Sequence, residues 1–143
     1  MWFLGHLAIG YLIGILISKI TKENINLPLI FFCSVLPDVD VFIPELVHRS
    51  ITHSIILAFL AFVPILLISK KGFSYFGAMA SHILIGDYFT GTPFQILWPV
   101  TQEFFLSPSS LRLDGIARFI IEGCLFAIMI FIIVQKRSKQ QAR

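Results

Sequence analysis

Residues 2–20 read WFLGHLAIGYLIGILISKI, and this apolar run decides the fold class. A helix needs about 20 consecutive apolar residues to cross the hydrocarbon core of a membrane. Another apolar run begins at Leu27, and three more cover Ile51–Ser69, Phe73–Phe89 and Gly115–Val134. The pattern predicts an all-α, polytopic membrane helix bundle with about five hydrophobic segments. The second segment is expected to be short or broken, because prolines interrupt it.

The composition indicates a single integral membrane domain over residues 1–143. Hydrophobic residues make up 57% of the chain and charged residues 13%, whereas soluble domains have roughly 25% charged residues. The formal net charge of +3 does not indicate a nucleic-acid partner, so the expected partner is the lipid bilayer. The N-terminus has neither a basic region nor an obvious cleavage site, which favours a retained helix over a signal peptide. A short basic tail, residues 135–143, ends the chain.

Lysine and arginine residues predict the orientation of the segments. If the segments cross alternately, one side carries Lys19, Lys22, Lys70, Lys71, Lys136, Arg137, Lys139 and Arg143. The other side carries only Arg49, Arg112 and Arg118. Positive residues favour the cytoplasm. We therefore predict a multi-pass protein of the cell membrane, with its N-terminus outside and its C-terminus in the cytoplasm.

Four polar clusters interrupt the apolar sequence, and all four histidines lie in them. The clusters are His6, then Asp38 with Asp40, then the string from His48 to Ser54, and finally His82 with Asp87. Alternating segments place all four clusters on the same side of the membrane. Ionisable residues within membrane segments are costly and usually mark function.

Helical spacing predicts that two of the histidines face other helices. Residues four apart lie on one face of a helix, and two such stripes are His6-Gly10-Gly14 and Ala78-His82-Gly86. Small residues at this spacing let helices approach closely. Both histidines are therefore expected to point into the bundle.

Imidazole and carboxylate groups together are typical ligands of zinc, manganese or iron. We expect a divalent metal, with zinc as the first choice and manganese or iron as alternatives. The candidate ligands are His6, Asp38, Asp40, His48, His53, His82 and Asp87. They outnumber the four ligands of a tetrahedral zinc ion. Either two ions share the site, or some of these groups only support the ligands.

Two local features leave alternatives open. His82 and Asp87 are five residues apart, about 140° around a regular helix, and so do not share a face. Either Gly86 loosens the turn and brings Asp87 back, or the two residues bind different ions. His48 is expected just before the third helix, with Ser50 as its N-cap.

Three residues are candidates for catalysis. One of Asp38 and Asp40 would be a metal ligand and the other a general base. Arg49 would clamp an anionic substrate, phosphate especially. Each cluster alone also has a structural interpretation: an interfacial hydrogen bond for a histidine, a turn cap for the aspartate pair, and an interfacial anchor for Arg49.

Two features outside the clusters have similar alternatives. Arg118 and Glu122 are spaced by four, and they form either an ion pair lining the bundle or an extra carboxylate over the site. The aromatic, proline-rich loop Gly91–Leu113 is either a lid on the outer leaflet or an ordinary connector.

The polar strings resemble a known family. Pro37-Asp38-Val39-Asp40, the string His48-Arg49-Ser50-Ile51-Thr52-His53-Ser54 and the His82…Asp87 pair look like the LexA-regulated, membrane-bound metal-dependent hydrolase-like family of small multi-span proteins. The resemblance covers the chain from His6 through Trp98-Pro99, and His-Arg-x-x-Thr-His-Ser is its most specific part. The last pair in that family is often His-x-x-x-Asp, whereas here the spacing is five. The order His, Asp, His, His, Asp is also similar to zinc-dependent phospholipase C enzymes.

The resemblance implies hydrolysis. Together with the predicted topology, it favours a membrane-embedded hydrolase with its metal site open to the extracytoplasmic interface. Phosphoesters, including those of lipids, are the substrates we expect. The alternative is a metal-binding transport protein, or a regulatory or scaffold membrane protein whose metal only ties helices together.

Overall fold

The computed structural model describes residues 3–88, 93–106 and 115–141, and five helices form this part of the chain. They are α1 (Phe3–Thr21), α2 (Leu27–Val35), α3 (Ile55–Ile68), α4 (Lys71–Ser81) and α5 (Gly115–Gln141). A 3₁₀ turn, Leu36–Phe42, follows α2, and a second one, Ile51–His53, precedes α3. A π-helical turn, His82–Asp87, extends α4. The predicted all-α bundle is confirmed, and α2 is indeed short, with 9 residues.

Close packing of α1 on α2 depends on two glycines. Gly10 lies against Ser34 and Gly14 lies against Ile30, and a Cβ atom on either glycine would overlap its neighbour. Helix α1 also packs against α4 and α5. The glycine stripe therefore brings the end of α2 close to the first turns of α1, where His6 lies.

The start of the third helix differs from the sequence prediction. Ser50 makes no side-chain capping bond, and Ile51–His53 forms a 3₁₀ turn. The N-cap is Ser54, whose hydroxyl accepts a hydrogen bond of 3.2 Å from the amide of Leu57. Serine is favoured at N-caps, so either residue was plausible, but the assignment of the N-cap to Ser50 was wrong. The Ser54 hydroxyl also donates to the Trp98 carbonyl, a tertiary contact that the local sequence does not reveal.

The outer surface of the bundle is apolar. Helix α5 exposes large side chains along its length, among them Ile116, Phe119, Phe131 and Val134. By length and composition, α1 and residues Gly115–Lys139 could each cross a membrane. Helix α3, with 14 residues, is about 21 Å long, which is less than the roughly 30 Å of a hydrocarbon core. A membrane is therefore the natural surrounding of this apolar surface.

The described part of the loop between α4 and α5 supports the second 3₁₀ turn. Phe94 and Phe105 pair through two backbone hydrogen bonds in an isolated antiparallel bridge. The amide of Gln95 donates to the carbonyl of Arg49, and the amide of Ile55 donates to the carbonyl of Ile96. Residues 93–106 thus hold the segment before α3 in place, while residues 91–92 and 107–113 of this loop lie outside the described part.

Candidate metal centre

Four side-chain atoms from three different elements meet at one end of the bundle. The His53 Nε2 atom lies 3.4 Å from Asp38 Oδ1 and 3.2 Å from Asp87 Oδ2. The His82 Nε2 atom lies 3.4 Å from each of the same two oxygens. Metal–ligand bonds of about 2.0–2.1 Å in a tetrahedral zinc site place neighbouring ligand atoms about 3.3–3.4 Å apart. These four nitrogen–oxygen distances therefore lie close to the spacing of neighbouring ligand atoms in a zinc site.

The π-helical turn explains how His82 and Asp87 meet. In a π-helix the hydrogen bonds join residues five apart, instead of four as in an α-helix. Residues five apart therefore lie on nearly the same face, and His82 and Asp87 are not separated by the 140° of a regular α-helix. The side chains of both residues are buried.

The hydrogen bond of His82 fixes which of its nitrogens carries the proton. Its Nδ1 atom lies 2.8 Å from the backbone carbonyl of Ser34, and a carbonyl can only accept, so Nδ1 donates. Helix α2 ends at Val35 and a 3₁₀ turn follows. The carbonyl of Ser34, in the last turn of α2, is therefore available to accept a hydrogen bond from His82. In a neutral ring the lone pair of Nε2 then faces Asp38 and Asp87.

His53 is oriented in the same way through Thr52. The Thr52 hydroxyl donates to Asp40 Oδ2 at 2.7 Å, so its oxygen accepts from His53 Nδ1 at 3.1 Å. Asp40 Oδ2 itself lies 3.4 Å from the same nitrogen. Such outer hydrogen bonds are the usual means of fixing a metal-binding histidine. The Nε2 lone pair of His53 is thereby also directed at the two carboxylates.

The centre therefore collects electron-pair donors of the kinds that bind cations. Neither Nε2 atom has a hydrogen-bond partner, although both are buried. Protonated histidines would form charge-assisted hydrogen bonds of about 2.7–2.9 Å to carboxylates, and the observed distances are longer. Two imidazole nitrogens and two carboxylate oxygens at this spacing fit a divalent cation.

His6 adds a third imidazole to the centre. Its ring stacks on that of His82, with centroids 3.6 Å apart and an angle of 12° between the planes. The His6 Nδ1 atom is buried without a hydrogen-bond partner. Ligand atoms of His6, Asp38 and His82 lie within 4.8 Å of one another, so His6 is a further candidate ligand at this centre. Gly86 makes room for the ring, because a Cβ atom there would overlap His6.

Asp40 and His48 form a pair at the rim. Asp40 Oδ1 lies 2.8 Å from His48 Nδ1, and Asp40 Oδ2 accepts from the Arg49 amide at 2.9 Å as well as from Thr52. Asp40 itself lies in the 3₁₀ turn that follows α2. Burial opposes ionisation, but the hydrogen bonds from Thr52, His48 and Arg49 outweigh it and hold the pKa of Asp40 below its usual value. Ligand atoms of Asp38, Asp40 and His48 also lie within 4.8 Å of one another, but the oxygens of Asp40 are engaged in these bonds.

Arg49 lies between the cluster and an open groove. Its Nε atom is 3.3 Å from Asp87 Oδ1, and its backbone adopts a left-handed conformation with φ of 65°. The groove has a volume of about 440 Å³. Its apolar wall includes Phe3, Phe32, Val35, Leu36, Val39 and Phe42, and its polar end is formed by Asp38, His48 and Arg49. We call this cavity the lateral groove.

Glu122 supports the site from α5. The carboxylate is buried and accepts a hydrogen bond of 3.1 Å from the Gly5 amide, in the first turn of α1. A carboxylate at a helix N-terminus satisfies an amide that has no partner within the helix and is favoured by the helix dipole. It thus anchors the turn that carries His6.

The structure brings six of the seven predicted ligands together in or beside one cluster and places His48 at its exposed rim, with 41% of its side chain accessible.

Sequence reasoning did not assign a role to Thr52, although the residue stands next to His53 in the string that carries the resemblance. It also missed the Ser34 carbonyl, which no side-chain pattern could reveal. Phe3 and Phe32 lie on the groove wall, but in the sequence they are recognisable only as parts of apolar helices.

Comparison with known proteins gives one family. A family model described as YdjM inner membrane protein matches residues 1–142. No curated protein and no solved structure matches the chain. The match agrees with the membrane location indicated by the composition and by the long apolar helices.

Proposed function

We propose, from the premise that the chain belongs to the YdjM inner membrane protein family, that it is a membrane-embedded metal-dependent hydrolase. The single observation that supports this most strongly is the convergence of two imidazole nitrogens and two carboxylate oxygens, with nitrogen–oxygen distances of 3.2–3.4 Å, next to an open groove. Structural zinc sites are usually closed and rich in cysteine, whereas catalytic sites lie open to substrate. The proposed substrates are phosphoesters, including those of lipids.

His53, His82, Asp38 and Asp87 would hold the ion, with zinc as the first choice and manganese or iron as alternatives. His6 would contribute to the same ion or, with Asp38, to a second one. A divalent ion in such a site polarises a phosphoryl oxygen and lowers the pKa of a water molecule to about 7. Arg49 would bind the phosphoryl group of the substrate through its guanidinium.

His48 would act as the general base, and Asp40 would position it. The Asp40 carboxylate accepts from His48 Nδ1, which leaves Nε2 of this ring as the proton acceptor. A histidine held by a carboxylate at the edge of a substrate groove is a common general base. The sequence suggested a carboxylate as base, but the hydrogen bonds of Asp40 favour a positioning role for it. Asp38 is then the ligand of the pair.

We further propose that the five hydrophobic segments cross the membrane alternately, with the N-terminus outside and the C-terminus in the cytoplasm. The cluster then faces the extracytoplasmic interface. Transporter sites usually lie near the membrane midplane between repeats. Here the cluster lies near the beginning of α1 and the end of α2, which supports hydrolysis at the interface.

Metal analysis of the purified full-length protein tests the first step. We expect bound divalent metal in the wild type and in Glu45→Ala, a control that removes an exposed carboxylate outside the cluster. His53→Ala and Asp38→Asn should lose it. Metal-free wild type after exposure to zinc, manganese and iron would refute the proposal.

Turnover of a phosphoester lipid panel in detergent micelles tests the second step. His48→Ala should keep its metal and lose hydrolysis, because His48 lies at the rim and not among the four converging atoms. If His48→Ala hydrolysed the panel as fast as the wild type, the proposed base would be wrong.

A further inference from the structure

The lateral groove opens on an apolar part of the bundle surface. Phe3, Phe32 and Phe42 on its wall have 59%, 57% and 84% of their surface exposed, although all three are large apolar residues. Exposed apolar side chains around a concave surface mark a binding site when they occur together. In a membrane, the molecules that contact this surface are lipids.

The polar and apolar parts of the groove are separated. The first turn of α1, the last turn of α2 and the following 3₁₀ turn form the apolar wall. Asp38, His48 and Arg49 lie at one end, where Asp38 joins the cluster of converging ligand atoms. This division matches a molecule with an apolar chain and an anionic head.

From this division, we infer that the lateral groove takes an anionic phospholipid directly from the surrounding leaflet, with one acyl chain along the apolar wall and its phosphate beside Arg49. The inference rests on the proposed hydrolase function and names its substrate class. An acyl chain gains no hydrophobic energy by moving from lipid into an apolar groove, because both surroundings are apolar. The groove therefore selects the chain by shape, while the head group supplies the affinity.

The guanidinium of Arg49 is positioned for this role. Its backbone is tied at the amide to Asp40 and at the carbonyl to Gln95. Its Nε atom contacts Asp87, so the side chain is directed toward the cluster. Arginine presents five donors and binds phosphate in two-point fashion, so the remaining donors suit a phosphate at the polar end of the groove.

Photolabelling in nanodiscs tests the inference. The probe is phosphatidic acid carrying a diazirine in one acyl chain, diluted in phosphatidylcholine; diacylglycerol with the same chain serves as the probe without phosphate. We expect phosphatidic acid to label residues 32–42 of the full-length wild type. Arg49→Gln should reduce this labelling about tenfold, the ordinary effect of losing a hydrogen bond to a charged group, and diacylglycerol should label equally weakly.

A matched pair of variants tests the groove itself. Val35→Trp fills the apolar wall, whereas Val134→Trp adds the same bulk to the exposed face of α5. We expect at least about tenfold less labelling in the first and none lost in the second. Equal labelling of both variants, or labelling of residues 32–42 by diacylglycerol as strong as by phosphatidic acid, would overturn the inference. Inorganic phosphate that abolished the labelling at a concentration no higher than that of phosphatidic acid would overturn it too, because the site would then be one for free phosphate.

Metal content, measured on the same samples, separates the two proposals. Bound metal with groove-independent labelling would overturn the lipid inference and leave the hydrolase proposal standing. Groove-dependent labelling in a protein that binds no metal would support lipid binding while refuting the hydrolase.

Discussion

His82 and Asp87 are five residues apart on one helix, and yet Nε2 of the first lies 3.4 Å from Oδ2 of the second. A regular α-helix would separate the two side chains by about 140°. The π-helical turn His82–Asp87 removes this separation. Such turns are rare and frequently occur at functional sites. Here the turn gives the candidate centre two of its four converging atoms from a single helix.

Gly86 is expected to be essential to this arrangement. Replacement by alanine would push a methyl group into the ring of His6, which stacks on His82, so both rings must shift. We predict that Gly86→Ala lowers zinc affinity about 10- to 100-fold, the usual effect of disturbing groups that orient ligands. Competition with a chromophoric chelator measures the affinity.

Gly123→Ala is the matched control. This glycine also lies in a helix, but beyond its chain neighbours and the helix's own backbone no atom lies within 4 Å of a Cβ atom added there. The variant should bind zinc as tightly as the wild type. A Gly86→Ala protein with wild-type affinity would show that the contact with His6 does not position the ligands.

The sequence predicts the helices of this fold well because hydrophobicity alone decides which segments are apolar. It also predicts that His6, Asp38 and His82 lie at one level, since this follows from alternation. The hydrogen-bond partners of the ligands could not be predicted, because they depend on contacts between elements distant in sequence. The Ser34 carbonyl beside His82 is one such partner. The true N-cap is another case: Ser50 and Ser54 look alike locally, and the loop around Trp98 distinguishes them.

Thr52 is expected to control His53. Its hydroxyl lies between Asp40 Oδ2 and His53 Nδ1, so Thr52→Val, which keeps the shape and removes the hydroxyl, leaves His53 without that acceptor. We predict a fall in zinc affinity of about 10-fold or more, measured by isothermal titration of the metal-free protein. Thr52→Ser keeps the hydroxyl and should restore most of the affinity. If serine and valine gave the same affinity, the hydroxyl would have no part in orienting His53.

The two serines before α3 should differ in their effect on stability. Ser54→Ala removes the cap bond to the Leu57 amide and the bond to Trp98, and we predict a loss of about 1–2 kcal/mol in the free energy of unfolding. Ser50→Ala removes no capping bond and should change the free energy by less than about 0.5 kcal/mol. Denaturant titration in mild detergent, followed by circular dichroism, compares them. A larger loss in Ser50→Ala would reinstate the N-cap that the sequence suggested.

Glu122 should stabilise the first turn of α1. In Glu122→Ala the buried Gly5 amide loses its acceptor, which costs about 1–3 kcal/mol. The midpoint of thermal unfolding should therefore fall. Glu122→Gln retains an oxygen that can accept this bond and should lose less, while Glu103→Ala, an exposed carboxylate on the loop, should match the wild type. Equal midpoints in Glu122→Ala and Glu103→Ala would rule out the anchoring role.

The proposed orientation places Glu45 outside and Lys139 in the cytoplasm. Three hydrophobic segments separate the two positions, so alternation requires them to lie on opposite sides of the membrane. Both residues are exposed, and cysteine introduced at either one can be detected once the native Cys33 and Cys124, which form no disulfide, have been replaced. On intact cells an impermeant maleimide should label Glu45→Cys, and it should label Lys139→Cys only after permeabilisation.

The reverse pattern would invert the orientation and put the candidate centre on the cytoplasmic side. Labelling of both positions from one side would mean that one of the three segments does not cross, and the same method at Ser69, between α3 and α4, would show on which side these two helices meet.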